Sequence, residues 1–121
     1  MNIHESSENY LETILMLRET KGEVRSVDIA AEMQVTKPSV SYAMKRLREN
    51  GYILMDKDNL ISLTDEGYQI AHKIYRRHKV ISRFLMQIGV NEEDARADAC
   101  KIEHDISNAT FEAILKQLKE A

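Results

Sequence analysis

Residues 36–67 read TKPSVSYAMKRLRENGYILMDKDNLISLTDEG, and this stretch decides the fold. Its first part has apolar residues at helical spacing and ends at Gly51, which suits the left-handed residue that closes a helix. Two short apolar runs follow, Tyr52–Met55 and Leu60–Leu63, with the polar residues Asp56–Asn59 between them. Two apolar runs around a polar tip are typical of a β-hairpin. The stretch therefore predicts a helix followed by a hairpin.

Both flanks of this stretch are predicted to be helical. Upstream, apolar residues recur at helical spacing and predict a helix over Ser7–Thr20 and a short one over Val27–Met33 with Ser26 as its N-cap. Capping residues predict where the remaining helices begin. Thr36 or Lys37 caps the third helix, and Thr64 begins a long fourth helix that ends at Gly89. Asn91 begins a fifth helix that reaches about Asp105, and Ser107 begins the sixth. The expected fold is mainly α with a small β-hairpin wing.

Composition limits the classes of protein that this chain can be. It has 121 residues, one cysteine and a net charge of −3. A single cysteine excludes a disulfide framework and a four-cysteine zinc cluster, and the lack of a basic-then-apolar leader predicts a reducing, cytoplasmic location. No apolar run approaches the roughly 20 residues of a membrane span, so no membrane partner is expected. The net charge, taken alone, argues against nucleic acid as a partner.

The distribution of charge reverses that last inference. Thr36–Arg48 has four cations and no acid, a charge of +4, which leaves −7 for the rest of a chain whose net charge is −3. Helix, short turn, helix and hairpin is the order of a winged helix-turn-helix, whose second motif helix lies in the major groove. Val40, Met44 and Leu47 are expected to be buried, which leaves the other faces for DNA. The predicted DNA-binding residues are Ser26, Thr36, Lys37, Pro38, Ser39, Ser41, Tyr42, Lys45, Arg46 and, at the hairpin tip, Lys57.

A second group of residues has the chemistry of metal ligands. Cys100, Glu103 and His104 stand at i, i+3 and i+4, so on a helix their side chains share one face. A thiolate, a carboxylate and an imidazole suit Fe(II), Mn(II), Co(II), Ni(II) or Zn(II) better than Ca²⁺ or Mg²⁺. Further candidates are His78 on the long helix and Asn9 with Glu12 on the first.

Each of these ligand types also has an ordinary structural explanation. A lone cysteine is usually a small buried hydrophobe, and His78 stands in a cationic run that solvent would accommodate. A Cys100 nucleophile with His104 as its base is disfavoured, because no oxyanion donor or third orienting group is evident. No enzymatic activity is expected.

Six segments carry a family resemblance: Glu8–Ile14, Asp28–Ala30, Pro38–Ser41, Leu63–Gly67, Arg77–His78 and Asp98–His104. In these segments the chain resembles the diphtheria toxin repressor and manganese transport regulator family of metal-dependent transcriptional repressors, over essentially its whole length. The resemblance implies a winged helix-turn-helix DNA-binding domain at residues 1–70 and a helical metal-binding and dimerisation domain at residues 71–121. It also implies a homodimer that binds operator DNA when metal is bound and controls metal-ion homeostasis genes. Longer members add a C-terminal barrel domain, so the chain is expected to be a short form.

The resemblance also implies the metal ligands, at Asn9, Glu12, His78, Cys100, Glu103 and His104. Cys100 matches the iron-responsive branch and Glu12 the manganese branch, whereas Asn9 departs from both. Ser82 and Arg96 stand where the iron branch has the Glu and His of an accessory site. Because Fe(II) is softer than Mn(II) and suits a thiolate better, we expect Fe²⁺ rather than Mn²⁺, with Zn²⁺, Co²⁺ or Ni²⁺ able to bind in vitro.

The last helices have more apolar surface than so small a domain can bury alone, which predicts a homodimer interface. Its expected residues are Phe84, Ile88, Phe111, Ile114 and Leu115. Two alternatives stay open. One is a winged protein-interaction module without DNA or metal dependence, and the other is a DNA-binding redox switch that uses Cys100 to respond to peroxide rather than to metal.

Overall fold

The computed structural model describes residues 5–120, and within them the chain forms six helices and one antiparallel hairpin. The mainly α fold with a hairpin wing is confirmed. The chain divides into two compact units between His72 and Lys73. The elements in chain order are α1 (Glu5–Lys21), α2 (Ser26–Met33), α3 (Lys37–Glu49), β1 (Ile53–Met55), β2 (Ile61–Leu63), α4 (Asp65–Gln87), α5 (Glu92–Ile102) and α6 (Asn108–Glu120).

The core of the first unit explains why α3 has one apolar face and one polar face. Val40, Met44 and Leu47 of α3 are buried, as their spacing predicts. They belong to the same set of buried residues as Leu11 and Ile14 of α1, and burial of each such side chain contributes about 1.5–3 kcal/mol. The remaining faces of α3 are therefore left for solvent or a partner.

The hairpin is short and its tip is ordered by one carboxylate. β1 and β2 pair in the register Ile53↔Leu63 and Met55↔Ile61. Asp56 Oδ1 accepts hydrogen bonds from the backbone N–H groups of Asp58 at 2.8 Å and Leu60 at 3.0 Å. Carboxylates that bond to backbone groups a few residues further on stabilise tight turns. The tip is therefore a defined turn.

A tight junction joins the hairpin to α4. The Thr64 hydroxyl donates to Gly51 O at 2.7 Å and accepts from the Gly67 N–H at 3.1 Å, so Thr64 caps α4 as predicted. The Thr64 N–H donates to Tyr52 O at 3.1 Å. A Cβ at position 67 would stand 2.0 Å from Tyr52 O, so only glycine permits this approach.

The beginning of α2 differs from the prediction by one residue. Ser26 is already helical, and the N-cap is Arg25, which has extended backbone angles. The Asp28 carboxylate accepts from the Arg25 N–H at 2.8 Å, so the free donor at this helix end is satisfied from inside the helix. That bond, together with Lys21 at 3.2 Å, lowers the pKa of Asp28. Ser26 as N-cap was wrong because Asp28 takes the capping role.

The second unit is a three-helix cluster around a small core. Ile81 of α4, Ala99 of α5 and Phe111 of α6 are buried together, with Ile102 and Leu85 packed against them. Asn91 Oδ1 accepts from the Asp94 N–H at 2.9 Å, and Ser107 Oγ accepts from the Thr110 N–H at 3.1 Å. The predicted caps of α5 and α6 are therefore confirmed.

The end of α5 is earlier than predicted. The helix stops at Ile102, whereas the sequence pattern predicts about Asp105. The Glu103 N–H still donates to Ala99 O at 2.9 Å, but the Asp105 N–H donates to Ile102 O at 3.0 Å, which is the tighter i to i+3 pattern. His104 and Asp105 therefore lie in a turn. Across the described residues, none of the helices has the combination of length and hydrophobicity that a bilayer crossing needs.

Candidate metal centre and nucleic-acid interface

The solvent-facing side of α3 carries most of the residues predicted to bind DNA. Thr36 caps the helix by accepting from the Ser39 N–H at 3.3 Å, and its hydroxyl donates to Ser39 Oγ at 2.8 Å. Before Glu49 the helix has no acidic residue, so the cationic face is uninterrupted. Of the ten predicted DNA-binding residues, Ser26 on α2 is half-buried and the other nine are exposed. The exposed residues are Thr36, Lys37, Pro38, Ser39, Ser41, Tyr42, Lys45, Arg46 and, on the wing, Lys57.

Tyr42 and Arg46 form an ordered pair on this face. Arg46 Nη1 donates to the Tyr42 hydroxyl at 3.1 Å, and the guanidinium carbon is 5.8 Å from the centre of the ring. The hydrogen bond raises the pKa of Arg46 above its already high value. Tyr42 remains 63% exposed. The pair therefore presents an aromatic edge and a permanent cation together, and both suit a DNA groove.

The tip of the wing is less cationic than α3. Lys57 is exposed between Asp56 and Asp58, which are exposed as well. Asp56 is held by the turn, so its negative charge stays close to the lysine. The carboxylates of Asp56 and Asp58 would repel DNA phosphates. We therefore expect Lys57 to contribute less to DNA affinity than the cations of α3.

The second unit contains a buried carboxylate with two imidazoles beside it. Glu103 is 0% exposed; its Oε2 lies 3.0 Å from His78 Nδ1 and its Oε1 lies 3.5 Å from His104 Nε2. Among residues 5–120, Oε1 has no hydrogen-bond partner. A buried charged oxygen without a partner is costly, and a cation shared with neighbouring imidazoles would satisfy it. The residues present therefore fit a divalent metal ion.

Cys100 is placed differently from the other two members of its motif. Cys100 is exposed on α5, whereas Glu103 is buried and His104 is half-buried in the turn that follows the helix. α5 ends at Ile102, so Cys100 lies on the helix while Glu103 and His104 follow it. The prediction that all three residues share one helix face was wrong. The structure brings Glu103 to His78 and His104, and leaves Cys100 at the surface of the helix.

Family models match nearly the whole chain. The model described as the iron dependent repressor, N-terminal DNA binding domain, matches residues 2–61, and the model described as the iron dependent repressor, metal binding and dimerisation domain, matches residues 64–121. The chain belongs to the iron-dependent repressor family. The resemblance noted from the sequence is thereby confirmed, and the chain is a metal-dependent transcriptional regulator of this family and not an enzyme.

Relatives and solved structures within the family agree with this assignment. The chain is 39% identical to "Transcriptional regulator MntR" of Salmonella typhimurium over 108 residues, 89% of this chain and 69% of the relative. It is 37% identical to "HTH-type transcriptional regulator MntR" of Geobacillus thermodenitrificans over 102 residues, 84% of this chain and 72% of the relative. The structure titled "Structure of the manganese regulator SloR" superposes with a TM-score of 0.83 at 30% identity, covering all of this chain and 56% of that one. The chain thus spans little more than half the length of that solved structure.

The ligand positions that the family resemblance implies on α1 lie in the first unit. Asn9 and Glu12 are both half-buried and stand three residues apart, close to one helical turn. Each has at least one interaction with other groups of the protein. Their role as ligands stays a prediction.

The residues expected at the family's dimer interface divide into two groups. Ile88 is 62% exposed, and Phe84, Ile114 and Leu115 are half-buried. Phe111 is only 4% exposed and belongs to the core with Ile81 and Ala99. Little of its surface is left for a partner, and its place in the interface stays a prediction. Met86, 37% exposed on the last turn of α4, is an apolar residue that the sequence analysis left out.

The burial of Arg77 is the main feature of this region that was not predicted from the sequence. Arg77 stands in the cationic run Arg76–Lys79 and was given no role beyond its match to the family, yet it is 5% exposed. Its spacing from Ile74 and Ile81, at i+3 and i−4, puts it on the apolar face of α4. That position in the helical pattern was the available signal.

Proposed function

We propose that this chain binds operator DNA as a homodimer when it holds a divalent transition metal ion, and represses metal-ion homeostasis genes. In this proposal residues 1–70 bind DNA, and residues 71–121 supply metal ligands and the dimer interface. Since the protein would act on operator DNA, we propose that it is cytoplasmic. The observation that carries the proposal is the buried Glu103 carboxylate next to His78 and His104, one oxygen of which has no hydrogen-bond partner among the residues that the structure describes.

The proposed metal ligands rest on two kinds of support. We assign His78, Glu103 and His104 the main part, because His78 Nδ1 lies 3.0 Å from Glu103 Oε2 and His104 Nε2 lies 3.5 Å from Glu103 Oε1. Glu12, Asn9 and Cys100 complete the proposed ligand set through the family resemblance. A bound divalent ion supplies positive charge to the buried carboxylate. Glu103 and the imidazoles would then hold their positions through coordination, and the binding energy would favour the conformation in which these three side chains coordinate together.

We propose that the metal is Mn(II) or Fe(II). A preference for Fe(II) rests on Cys100, which is exposed on α5. Relatives of the chain bear the name MntR, and a similar structure is titled a manganese regulator. The expected preference for iron over manganese therefore has no support from these comparisons, and both ions belong in the experiment.

The DNA contacts follow from the exposed side chains of α3. Lys37, Lys45 and Arg46 would neutralise phosphates, and Ser39, Ser41 and Tyr42 would reach base edges or the backbone. In a twofold dimer, two copies of α3 fit successive major grooves when they are about 34–36 Å apart. We propose that Ile88, Phe84, Ile114 and Leu115 form the interface that sets this spacing.

The test is DNA binding as a function of metal. Duplexes selected from a random library against the Mn(II)-loaded protein are titrated by fluorescence anisotropy with no metal, Mn(II), and anaerobic Fe(II) or Zn(II). The proposal expects tight binding only with metal, and loss of that dependence in Glu103→Gln. Equal affinity with and without metal would contradict it. A peroxide response in wild type that Cys100→Ser abolishes would favour the redox switch, and no DNA binding in any condition would favour the protein-interaction module.

A further inference from the structure

Arg77 contacts three successive parts of the segment that carries Glu103 and His104. Its Nη1 donates to Glu103 O and Ile106 O, both at 3.0 Å, and its Nη2 donates to Asn108 Oδ1 at 2.5 Å. Glu103 is the C-cap of α5, Ile106 lies in the connecting turn and Asn108 is the first residue of α6. One guanidinium therefore ties together the end of one helix, the turn and the start of the next.

These bonds meet a specific need of the turn. The last carbonyls of a helix have no partner within the helix, and a cation at a helix C-terminus is favourable. No glycine stands at the end of α5 to close it in the usual way, and the sequence continues as Glu103-His104-Asp105. The buried guanidinium, 5.4 Å from the centre of the Phe111 ring, provides the hydrogen bonds instead.

The neighbour of Arg77 on α4 contacts the same glutamate. His78 Nδ1 lies 3.0 Å from the Glu103 carboxylate, while Arg77 binds the Glu103 backbone. Adjacent residues of α4 thus hold both the side chain and the main chain of one proposed ligand. We infer that Arg77 is a positioning residue for the metal centre: it fixes the turn that presents Glu103 and His104, so that the ligands are in place before metal arrives. This inference rests on the proposed function.

The decisive variant is Arg77→Lys, with Arg76→Lys as its matched control. Lysine keeps the charge but has a single ammonium group, which cannot reproduce the planar fork of donors. The Arg76 guanidinium lies over the same Phe111 ring at 5.3 Å and makes none of the three hydrogen bonds. Mn(II) affinity is measured without DNA, on protein whose fold is verified by circular dichroism. Amide hydrogen exchange over residues 103–107 is measured on the metal-free protein.

A positioning role predicts a loss of Mn(II) affinity of about 10–100-fold in Arg77→Lys, the range found for groups that orient metal ligands. It also predicts faster exchange over residues 103–107 before any metal is added, with no such change in Arg76→Lys. Asn108→Ala removes one of the three bonds and keeps the Ser107 cap, so it should weaken Mn(II) binding by a factor of about 3–10. It decides the question if Arg77→Lys does not fold.

Folded Arg77→Lys and Asn108→Ala proteins that bind Mn(II) as tightly as Arg76→Lys would overturn the inference. So would weaker binding with unchanged exchange over residues 103–107, because the turn would then be equally ordered without the guanidinium. Failure of the proposed function is a separate result: it requires that the wild-type protein bind neither Mn(II) nor anaerobic Fe(II), or that Glu103→Gln bind them as tightly as wild type does.

Discussion

His78 Nδ1 lies 3.0 Å from Glu103 Oε2, which joins the middle of α4 to the end of α5 through a carboxylate that solvent does not reach. Within the described part of the chain, the other oxygen of this carboxylate has no hydrogen-bond partner. Such an arrangement is poorly suited to a metal-free resting state, since a buried charge needs more partners than two imidazole nitrogens provide. Without a cation the buried Glu103 carboxylate destabilises the fold, and with a bound cation it would stabilise the fold.

Glu103→Gln is expected to separate metal binding from folding. Glutamine keeps the shape and removes the buried charge, so the metal-free variant should melt at or above the wild-type temperature. Its Mn(II) affinity should fall by more than about 100-fold, beyond the loss typical of groups that only orient ligands. Thermal melting with and without Mn(II) measures both effects. Glu112→Gln, at an exposed position of α6, is the control; similar Mn(II) affinity in both variants would show that Glu103 is no ligand.

Lys45→Ala is expected to weaken binding to all DNA sequences alike. Lys45 is exposed on α3 and would contact phosphate, so its loss should reduce the slope of log affinity against log salt by about 1 per protomer. Anisotropy titrations between low and moderate salt measure this slope, with the exposed Lys119 of α6 replaced by alanine as control. An unchanged slope in Lys45→Ala would show that α3 does not face the DNA backbone.

Gly67→Ala is expected to destabilise the junction between the wing and α4. The added Cβ would stand 2.0 Å from Tyr52 O, so the backbone has to shift, at about 1–3 kcal/mol or more. Gly22→Ala is a useful comparison, because Gly22 has a φ of +86° and open space around it. It should lose only about 1 kcal/mol from left-handed strain. Urea unfolding measures both, and a smaller loss at position 67 than at position 22 would contradict the described junction.

Phe111→Ala should lower the stability of the fold, whereas Ile88→Glu should affect only the assembly of the dimer. Phe111 is buried in the core of the second unit, so its truncation should lower the free energy of unfolding by about 3–5 kcal/mol. Ile88 is exposed, so a glutamate there should leave the fold intact and dissociate the proposed dimer. Thermal melting and sedimentation velocity distinguish the two outcomes. A dimer of unchanged affinity in Ile88→Glu would place the interface elsewhere.

The contribution of Asp28 to stability should depend on pH in a definite direction. The Arg25 N–H and Lys21 lower the pKa of Asp28 below its ordinary value of 3.8, so the carboxylate is favoured in the folded state. Its stabilising effect is present above pH 3.8 and is lost as the pH falls through the lowered pKa. The difference in unfolding free energy between wild type and Asp28→Asn should therefore shrink on acidification from pH 6 to about pH 3. A difference that grows would contradict the described bond.

Local chemistry was sufficient to predict most of the fold. Thr36, Thr64, Asn91 and Ser107 cap helices because a side-chain oxygen needs only neighbouring backbone groups to do so. The buried stripe of α3 likewise follows from spacing along one helix.

Features that depend on distant residues were missed. The early end of α5 and the burial of Arg77 both depend on the contact of α4 with the turn at Glu103, which no local pattern shows. The burial of Phe111 with Ile81 and Ala99 was not foreseen either, because a sequence does not show which apolar face meets its own core. The same limit applies to the candidate site: the Cys100, Glu103 and His104 spacing identified the region, and the structure pairs Glu103 with His78 and leaves Cys100 exposed.

The most direct measurement is the coupling between metal and DNA on one sample. DNA affinity is determined with and without Mn(II), and Mn(II) affinity with and without the selected duplex, for wild type and Glu103→Gln. If metal at the Glu103 site controls DNA binding, Mn(II) must tighten wild-type DNA binding, and DNA must tighten Mn(II) binding by the same factor, expected to be about 5–150-fold. Glu103→Gln should show no coupling. Wild-type DNA affinity that is the same with and without Mn(II) and Fe(II) would contradict the account.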